Sequence, residues 1–228
     1  MGVSKTYEAI VLKTYDIGEA DRFCVLLTKE RGKIAARAKG VRKLTSHMGG
    51  SLLPLQHIFI NVHEGKSGFL VTAIERNTQK QSSKKINEFL SAQQGTELIL
   101  KMIEDDHPVP KIFDLASKFF GACEPSALLP FKIRLLSILG VLPSPSEGKL
   151  ASYIQEDECE YLKTCSDDGW QNPPKLSVQG VKRLNDLCNR IIDQQTSSIL
   201  RAPEIANELT SISSECTSVE SVPVYQRK

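Results

Sequence analysis

Apolar and polar residues alternate along the first 80 positions and then change period. Segments 9–14, 22–28, 33–39, 55–62 and 68–75 are rich in β-branched, apolar or alternating residues, punctuated by Asp16-Ile17-Gly18, Glu30-Arg31-Gly32 and Glu64-Gly65-Lys66. Five strands of this size predict a small barrel. Within 33–39, Ile34, Ala36 and Ala38 fall on one face of a strand and Lys33, Arg37 and Lys39 on the other, because side chains alternate along a strand. Ile58, Ile60 and Val62 alternate with Phe59 and Asn61 in the same way.

From about Ser83 the period is that of helices. Ile112, Leu115, Ala116, Phe119 and Phe120 form an apolar stripe after Pro110, and Leu128, Phe131, Leu135, Ile138 and Leu139 repeat it before Gly140. A third stripe, Val181, Leu184, Leu187, Cys188, Ile191 and Ile192, runs through 178–195, with Ser177 as its predicted N-cap. Segment 143–174, with its prolines, glycines and the cluster Glu156-Asp157-Glu158, reads as an irregular insertion. Beyond about Thr210 the Ser- and Thr-rich composition cannot offset the entropy of ordering and predicts a disordered tail. The pattern as a whole predicts an α+β chain: an N-terminal barrel over 1–80, an all-helical domain over 81–209 and a tail over 210–228.

Composition narrows the class. The 228 residues are 25% charged and 40% apolar, with a net charge of +2, as expected of a soluble globular protein of one or two domains. Apolar runs such as 133–142 fall short of the roughly 18 residues a membrane span needs. Residues 1–7 lack the apolar core of a secretory signal, so a cytoplasmic location is expected. Cys24, Cys123, Cys159, Cys165, Cys188 and Cys216 form no close pair and read as reduced thiols.

The small net charge hides a division. Residues 1–103 hold sixteen Lys or Arg against nine Asp or Glu, a balance of +7, whereas 104–228 hold thirteen against eighteen, a balance of −5. Seven basic residues, Lys29, Arg31, Lys33, Arg37, Lys39, Arg42 and Lys43, fall between positions 29 and 43 with one acid, Glu30. Such a stripe is either a solvated face or a surface for phosphates. The strand pattern gathers Lys33, Arg37 and Lys39 on one surface, and the polar segment 41–50 after Gly40 reads as a loop able to close over a nucleic-acid backbone.

Other chemistry is excluded residue by residue. Gly65-Lys66-Ser67 mimics the end of a phosphate-binding loop, but Ile60 stands where that motif needs glycine, and a strand rather than a helix follows. The nearest cysteines, Cys159 and Cys165, lack the close spacing of zinc ligands. His47, His57, His63 and His107 show no ligand spacing, and Glu104-Asp105-Asp106 reads as a solvated helix end. No cofactor, metal or enzymatic turnover is expected.

The blocks Ala9-Ile10-Val11-Leu12-Lys13-Thr14, Gly18-Glu19-Ala20-Asp21-Arg22, Leu27-Thr28-Lys29-Glu30-Arg31-Gly32-Lys33-Ile34, Ala38-Lys39-Gly40-Val41-Arg42 and Gly49-Gly50-Ser51-Leu52-Leu53-Pro54-Leu55 resemble, in order and spacing, the RecO family of bacterial recombination and repair proteins. The resemblance implies an OB-type barrel followed by a helical domain. Gly140 with Pro143 is similar to the family's turn before a zinc-finger-like insertion, although the cysteine pairs of some members are missing here. The resemblance also implies binding of single- and double-stranded DNA, annealing of complementary strands, contact with the C-terminal tail of the single-stranded-DNA-binding protein SSB, and work with RecR to load RecA.

An OB barrel holds strands in a basic groove with a few aromatic platforms. The seven stripe cations are the expected DNA contacts, and Tyr7, Tyr15 and Phe23 are the nearest aromatics, each either core or platform. Lys132 and Arg134 on the helix before Gly140 are the expected contacts for an acidic SSB tail. An RNA-binding OB protein and a scaffold for acidic proteins share the same features.

Overall fold

The computed structural model of the chain describes residues 3–46, 48–66, 68–76, 85–122, 124–144 and 154–196. β1 (Val3–Ile17), β2 (Asp21–Thr28), β3 (Gly32–Ala38), β4 (His57–Gly65) and β5 (Gly68–Arg76) close into a barrel in the order β1-β2-β3-β5-β4. Every neighbouring pair is antiparallel except β3 and β5, which run parallel. This is an OB-type closure. β1 makes it possible by serving two partners. Val3 to Ile10 pair with β4, Ala9 to Ile17 pair with β2, and a register shift between Val11 and Lys13 bends the strand where it changes partner.

The run Ala9-Ile10-Val11-Leu12 is continuously apolar because both faces of β1 are covered there. Tyr7, Ala9 and Val11 point into the barrel with Leu26, Ile34, Ala36 and Ile60. Ile10 and Leu12, with Leu27 and Leu55, belong instead to the core of the helices. The barrel wall is thus shared by two cores, so the halves predicted as separate domains are packed on each other.

Five helices follow among the described residues: α1 (Ile86–Met102), α2 (Pro110–Ala122), α3 (Leu128–Ile138), α4 (Glu156–Ser166) and α5 (Val178–Gln195). α3 is the centre of the group and touches the other four. Phe119 of α2 stacks on Phe131 of α3, with ring centroids 4.2 Å apart. A Cβ on Gly95 of α1 would lie 2.4 Å from the Phe119 ring, so glycine is what lets α1 approach. The Ser177 hydroxyl accepts from the Gly180 N–H, capping α5 as the sequence predicts.

One reading is corrected. The predicted irregular insertion over 143–174 contains α4, and its acidic cluster is that helix's first turn. Glu158 is completely buried, accepts from the Gln155 N–H at 2.9 Å and from Arg183 Nε of α5 at 2.7 Å. Within the segment read as irregular, Glu158 is thus a cap and a helix-to-helix tie, while Glu156 and Asp157 stay exposed. The predicted tail over 210–228 lies outside the described residues, as do His47, Cys123 and Cys216.

Candidate nucleic-acid interface

β3 alternates as its sequence requires: Ile34, Ala36 and Ala38 are buried in the barrel, while Arg37 projects outward and Lys39 lies exposed just past the strand. The structure nevertheless splits the seven predicted DNA-contacting cations into two groups, because the two ends of β3 face different surroundings.

At its N-terminal end the stripe is sealed by acids of the helical half. Lys29 reaches Asp114 at 3.1 Å, Arg31 forks onto Asp106 and also meets Glu64 at 2.9 Å, and Lys33 meets Asp105 at 3.2 Å while donating to the Leu100 carbonyl at 2.8 Å. The Lys33 side chain is only 12% exposed. Hydrogen bonding to Arg31 holds the Asp106 carboxyl below the usual carboxylate range, and the bond to Asp114 raises the Lys29 ammonium above its ordinary value. The backbone joins in: the Asp106 N–H donates to the Lys33 carbonyl at 2.7 Å, and Gly32 sits against His107 so closely that a Cβ would lie 1.8 Å from its carbonyl oxygen. Glu104-Asp105-Asp106 stays exposed, as expected of a solvated helix end, but Asp105 and Asp106 are paired with cations of the barrel. Lys29, Arg31 and Lys33 are spent on the seam.

At the other end the cations stay at the surface. Arg37 pairs with Asp21 at 2.6 Å, and the second oxygen of Asp21 accepts the Gly40 N–H at 2.7 Å. Asp21 is held below the usual carboxylate range, first by that N–H and then by Arg37. Arg42 meets Asp16 at 3.3 Å and donates to the Gly18 carbonyl at 2.9 Å, and Arg22 meets the same Asp16 at 2.9 Å. Lys39 and Lys43 are exposed and make no ion pair among the described residues.

The aromatic candidates separate too. Tyr7 is buried in the barrel. Tyr15 is 47% exposed, with the Lys13 ammonium 4.8 Å from its ring centroid. Phe23 is half-buried and stands opposite Tyr15 on one side and Arg37 on the other. Direct cross-strand partners share a face, so Tyr15, Phe23 and Arg37 form one row across three strands. Lys13 and Asp21 were not predicted as site residues; the contact of Lys13 with the Tyr15 ring, two positions along the same strand, and the ion pair of Asp21 with Arg37 bring them in.

Of the two residues predicted for an acidic peptide, Lys132 is found inside the helical core and Arg134 at its edge. Lys132 is 3% exposed, its ammonium 3.3 and 3.4 Å from the side-chain oxygens of Asn185 and Asn189 on α5, and burial lowers its pKa. Arg134 is tied to Asp168 at 2.9 Å and to the Ser166 carbonyl. α3 lies at the centre of its bundle, with α5 packed on it, so position 132 faces inward. Gly65 and Gly68 pair as the ends of a hairpin, so the Gly65-Lys66-Ser67 run is a turn, with Ser67 outside the described residues. Among the described residues no group of His, Cys, Asp and Glu can hold a metal ion, and no helix is long and apolar enough to cross a membrane.

A family profile described as Recombination protein O N terminal matches residues 1–75. Proteins named DNA repair protein RecO are similar to the chain. That of Nocardioides sp. is 46% identical over 71 residues, 31% of this chain and 29% of the relative. That of Anaeromyxobacter dehalogenans is 31% identical over 143 residues, 59% of this chain and 56% of the relative. That of Salinibacter ruber is 25% identical over 221 residues, covering 90% and 84%. In the first two named, the match spans from under a third to just over half of the relative's length.

Proposed function

Since this chain is a RecO relative whose residues 1–75 belong to that family's N-terminal domain, we propose that it is a recombination mediator in DNA repair: it binds single- and double-stranded DNA, anneals complementary strands, and with RecR helps load RecA onto SSB-coated single strands. The observation that supports this best is the far end of the barrel. There Tyr15 and Phe23 stand beside Arg37, and the exposed Lys39 and Lys43 make no ion pair among the described residues.

Phosphates bound there release counterions, and such contacts carry no sequence preference. Bases left free to pair while their backbones are screened are what annealing requires. Exposed Tyr15 and half-buried Phe23 add sequence-tolerant stacking. No residue is assigned a catalytic role, since binding alone performs the task. Contact with the SSB tail belongs to the helical half, where Arg134, unlike Lys132, reaches the surface.

The test is annealing of two complementary oligonucleotides, bare and SSB-coated, over a salt series, for the parent and a Lys39→Glu, Lys43→Glu variant. The proposal expects fast annealing by the parent that weakens with salt and in the variant. A parent that does not accelerate annealing overturns it; tighter binding of matched RNA than DNA gives the RNA reading instead.

A further inference from the structure

Leu44 is fully exposed, the most exposed large apolar side chain among the described residues. It stands at the tip of a loop that is anything but loose at its base. Val41 is buried in the barrel core, the Arg42 N–H donates to the Ala20 carbonyl at 2.9 Å, and Arg42 Nη1 donates to the Gly18 carbonyl. Two successive turns then close the loop: Lys43 N–H to the Gly40 carbonyl at 3.2 Å and Ser46 N–H to the Lys43 carbonyl at 2.9 Å. The fold thus anchors a leucine in water, next to Arg42 and Lys43 and beside the β1–β2 turn that carries half-exposed Ile17.

A single apolar tip flanked by Lys43 and by Arg42, whose own ion pair is the exposed contact with Asp16, does not match a protein-docking patch, whose energy comes from anchors packed in a desolvated cluster. It matches a nucleic-acid wedge, in which an apolar side chain enters between base steps while flanking cations hold the phosphates on either side. We propose that Leu44 is such a wedge: when duplex DNA lies on the far end of the barrel, Leu44 inserts at a base step and unstacks it, and Lys43 and Arg42 grip the backbone beside the opening. This rests on the DNA-binding reading above and adds to it a specific act, the opening of stacked bases where duplex meets single strand. It would let the protein hold a duplex end ready for strand pairing.

The experiment uses the full chain and a duplex with a single-stranded overhang, carrying 2-aminopurine at the junction. Binding is followed by anisotropy and unstacking by 2-aminopurine fluorescence. The parent is expected to bind and to raise the fluorescence. Leu44→Ala is expected to keep its fold, as befits an exposed substitution, and to lose the rise at concentrations where anisotropy shows the DNA saturated; Leu44→Met is expected to keep it. Leu44→Asp supplies a second variant that excludes insertion without disturbing the core. Parent binding with no rise, or a rise that persists in Leu44→Ala and Leu44→Asp, overturns the wedge while leaving DNA binding intact. Absence of any binding by the parent overturns the DNA reading itself. Leu44-dependent binding of an acidic apolar peptide, with no unstacking of DNA, assigns the tip to a protein partner and overturns the wedge.

Discussion

Arg31 and Asp106 meet as a fork on a fork: Nη2 donates to Oδ2 at 2.8 Å while Nε donates to Oδ1. Arg31 sits in the β2–β3 turn and Asp106 in the link between α1 and α2, so a single side-chain pair spans the seam between barrel and helices. Arg31 also lies 5.1 Å from the Phe69 ring centroid and meets Glu64, which fixes the guanidinium plane. The geometry is bidentate and planar, the arrangement in which arginine and lysine are least interchangeable. A double-mutant cycle on Arg31→Gln and Asp106→Asn, read by urea unfolding, is expected to give a coupling of about 1 kcal/mol, at the upper end for a partly exposed pair. Coupling near zero would mean that the seam holds through Gly32 and the apolar core alone.

Acid should loosen both ends of the stripe. Asp106 and Asp21 titrate below their ordinary value of 3.8 in the fold, Asp106 because of Arg31 and Asp21 because of the Gly40 N–H and then Arg37. The unfolded chain therefore takes up these protons first as pH falls. Their contributions are complete above the ordinary carboxylate range and are lost as pH drops through it toward the lower native values. The urea midpoint is expected to fall between pH 6 and pH 3, and to fall less steeply in an Asp21→Asn, Asp106→Asn variant. Equal slopes for parent and variant would refute the linkage.

How much of this was legible beforehand depends on the range of the interaction. The five strands and the stripes of α2, α3 and α5 are local periodicities, and each forms around the predicted window, β1 extending well beyond 9–14 to Val3–Ile17. α4 escaped because its window is bracketed by prolines and its first turn is acidic; only the tertiary partner Arg183 makes sense of Glu158. The basic stripe was visible, but its division was not. Lys29, Arg31 and Lys33 are neutralised by residues 33 to 85 positions away, and Lys132 is buried by α5. Pairings of that range leave no mark on local spacing.

The division of the stripe has a measurable consequence for DNA. Lys39→Glu and Lys43→Glu should each weaken oligonucleotide binding and lower the slope of log affinity against log salt, by roughly 0.7 per single-strand phosphate contact removed. Lys29→Ala and Lys33→Ala should leave that slope unchanged and reduce thermal stability instead. Fluorescence anisotropy over a salt series decides this. A slope that drops for Lys33→Ala as much as for Lys39→Glu would show that the seam opens to admit DNA.

Lys132 offers a test of buried charge. Its ammonium is desolvated, which lowers its pKa from 10.5, and among the described residues its hydrogen bonds go to two neutral amide oxygens. The unfolded chain holds that proton more tightly, so the charged lysine costs stability at neutral pH, and the cost fades as pH rises toward 10.5. Lys132→Met is expected to raise stability by about 1 kcal/mol at pH 7, since an apolar side chain of similar shape removes the desolvation cost. Its advantage over the parent should shrink at pH 10. A variant less stable than the parent at pH 7 would show that the two asparagines fully compensate the charge.

Gly32 and Gly18 form a matched pair for weighing the seam. Both have left-handed backbone, φ +73 and +56, but nothing lies within 4 Å of a Cβ on Gly18, whereas a Cβ on Gly32 would collide with the His107 carbonyl. Gly18→Ala should therefore cost only the conformational strain, about 1 kcal/mol, and leave the helices where they are. Gly32→Ala adds a backbone collision that no rotamer can relieve, so it must push the α1–α2 link away from β3. A total loss of about 3 kcal/mol is expected. The displaced link would also carry Asp105 and Asp106 off Lys33 and Arg31, so the salt slope for oligonucleotide binding should rise in Gly32→Ala and stay fixed in Gly18→Ala. Equal stability losses in the two variants would mean that the link yields freely, and that the acids covering the near half of the stripe are not held there by the chain's own backbone.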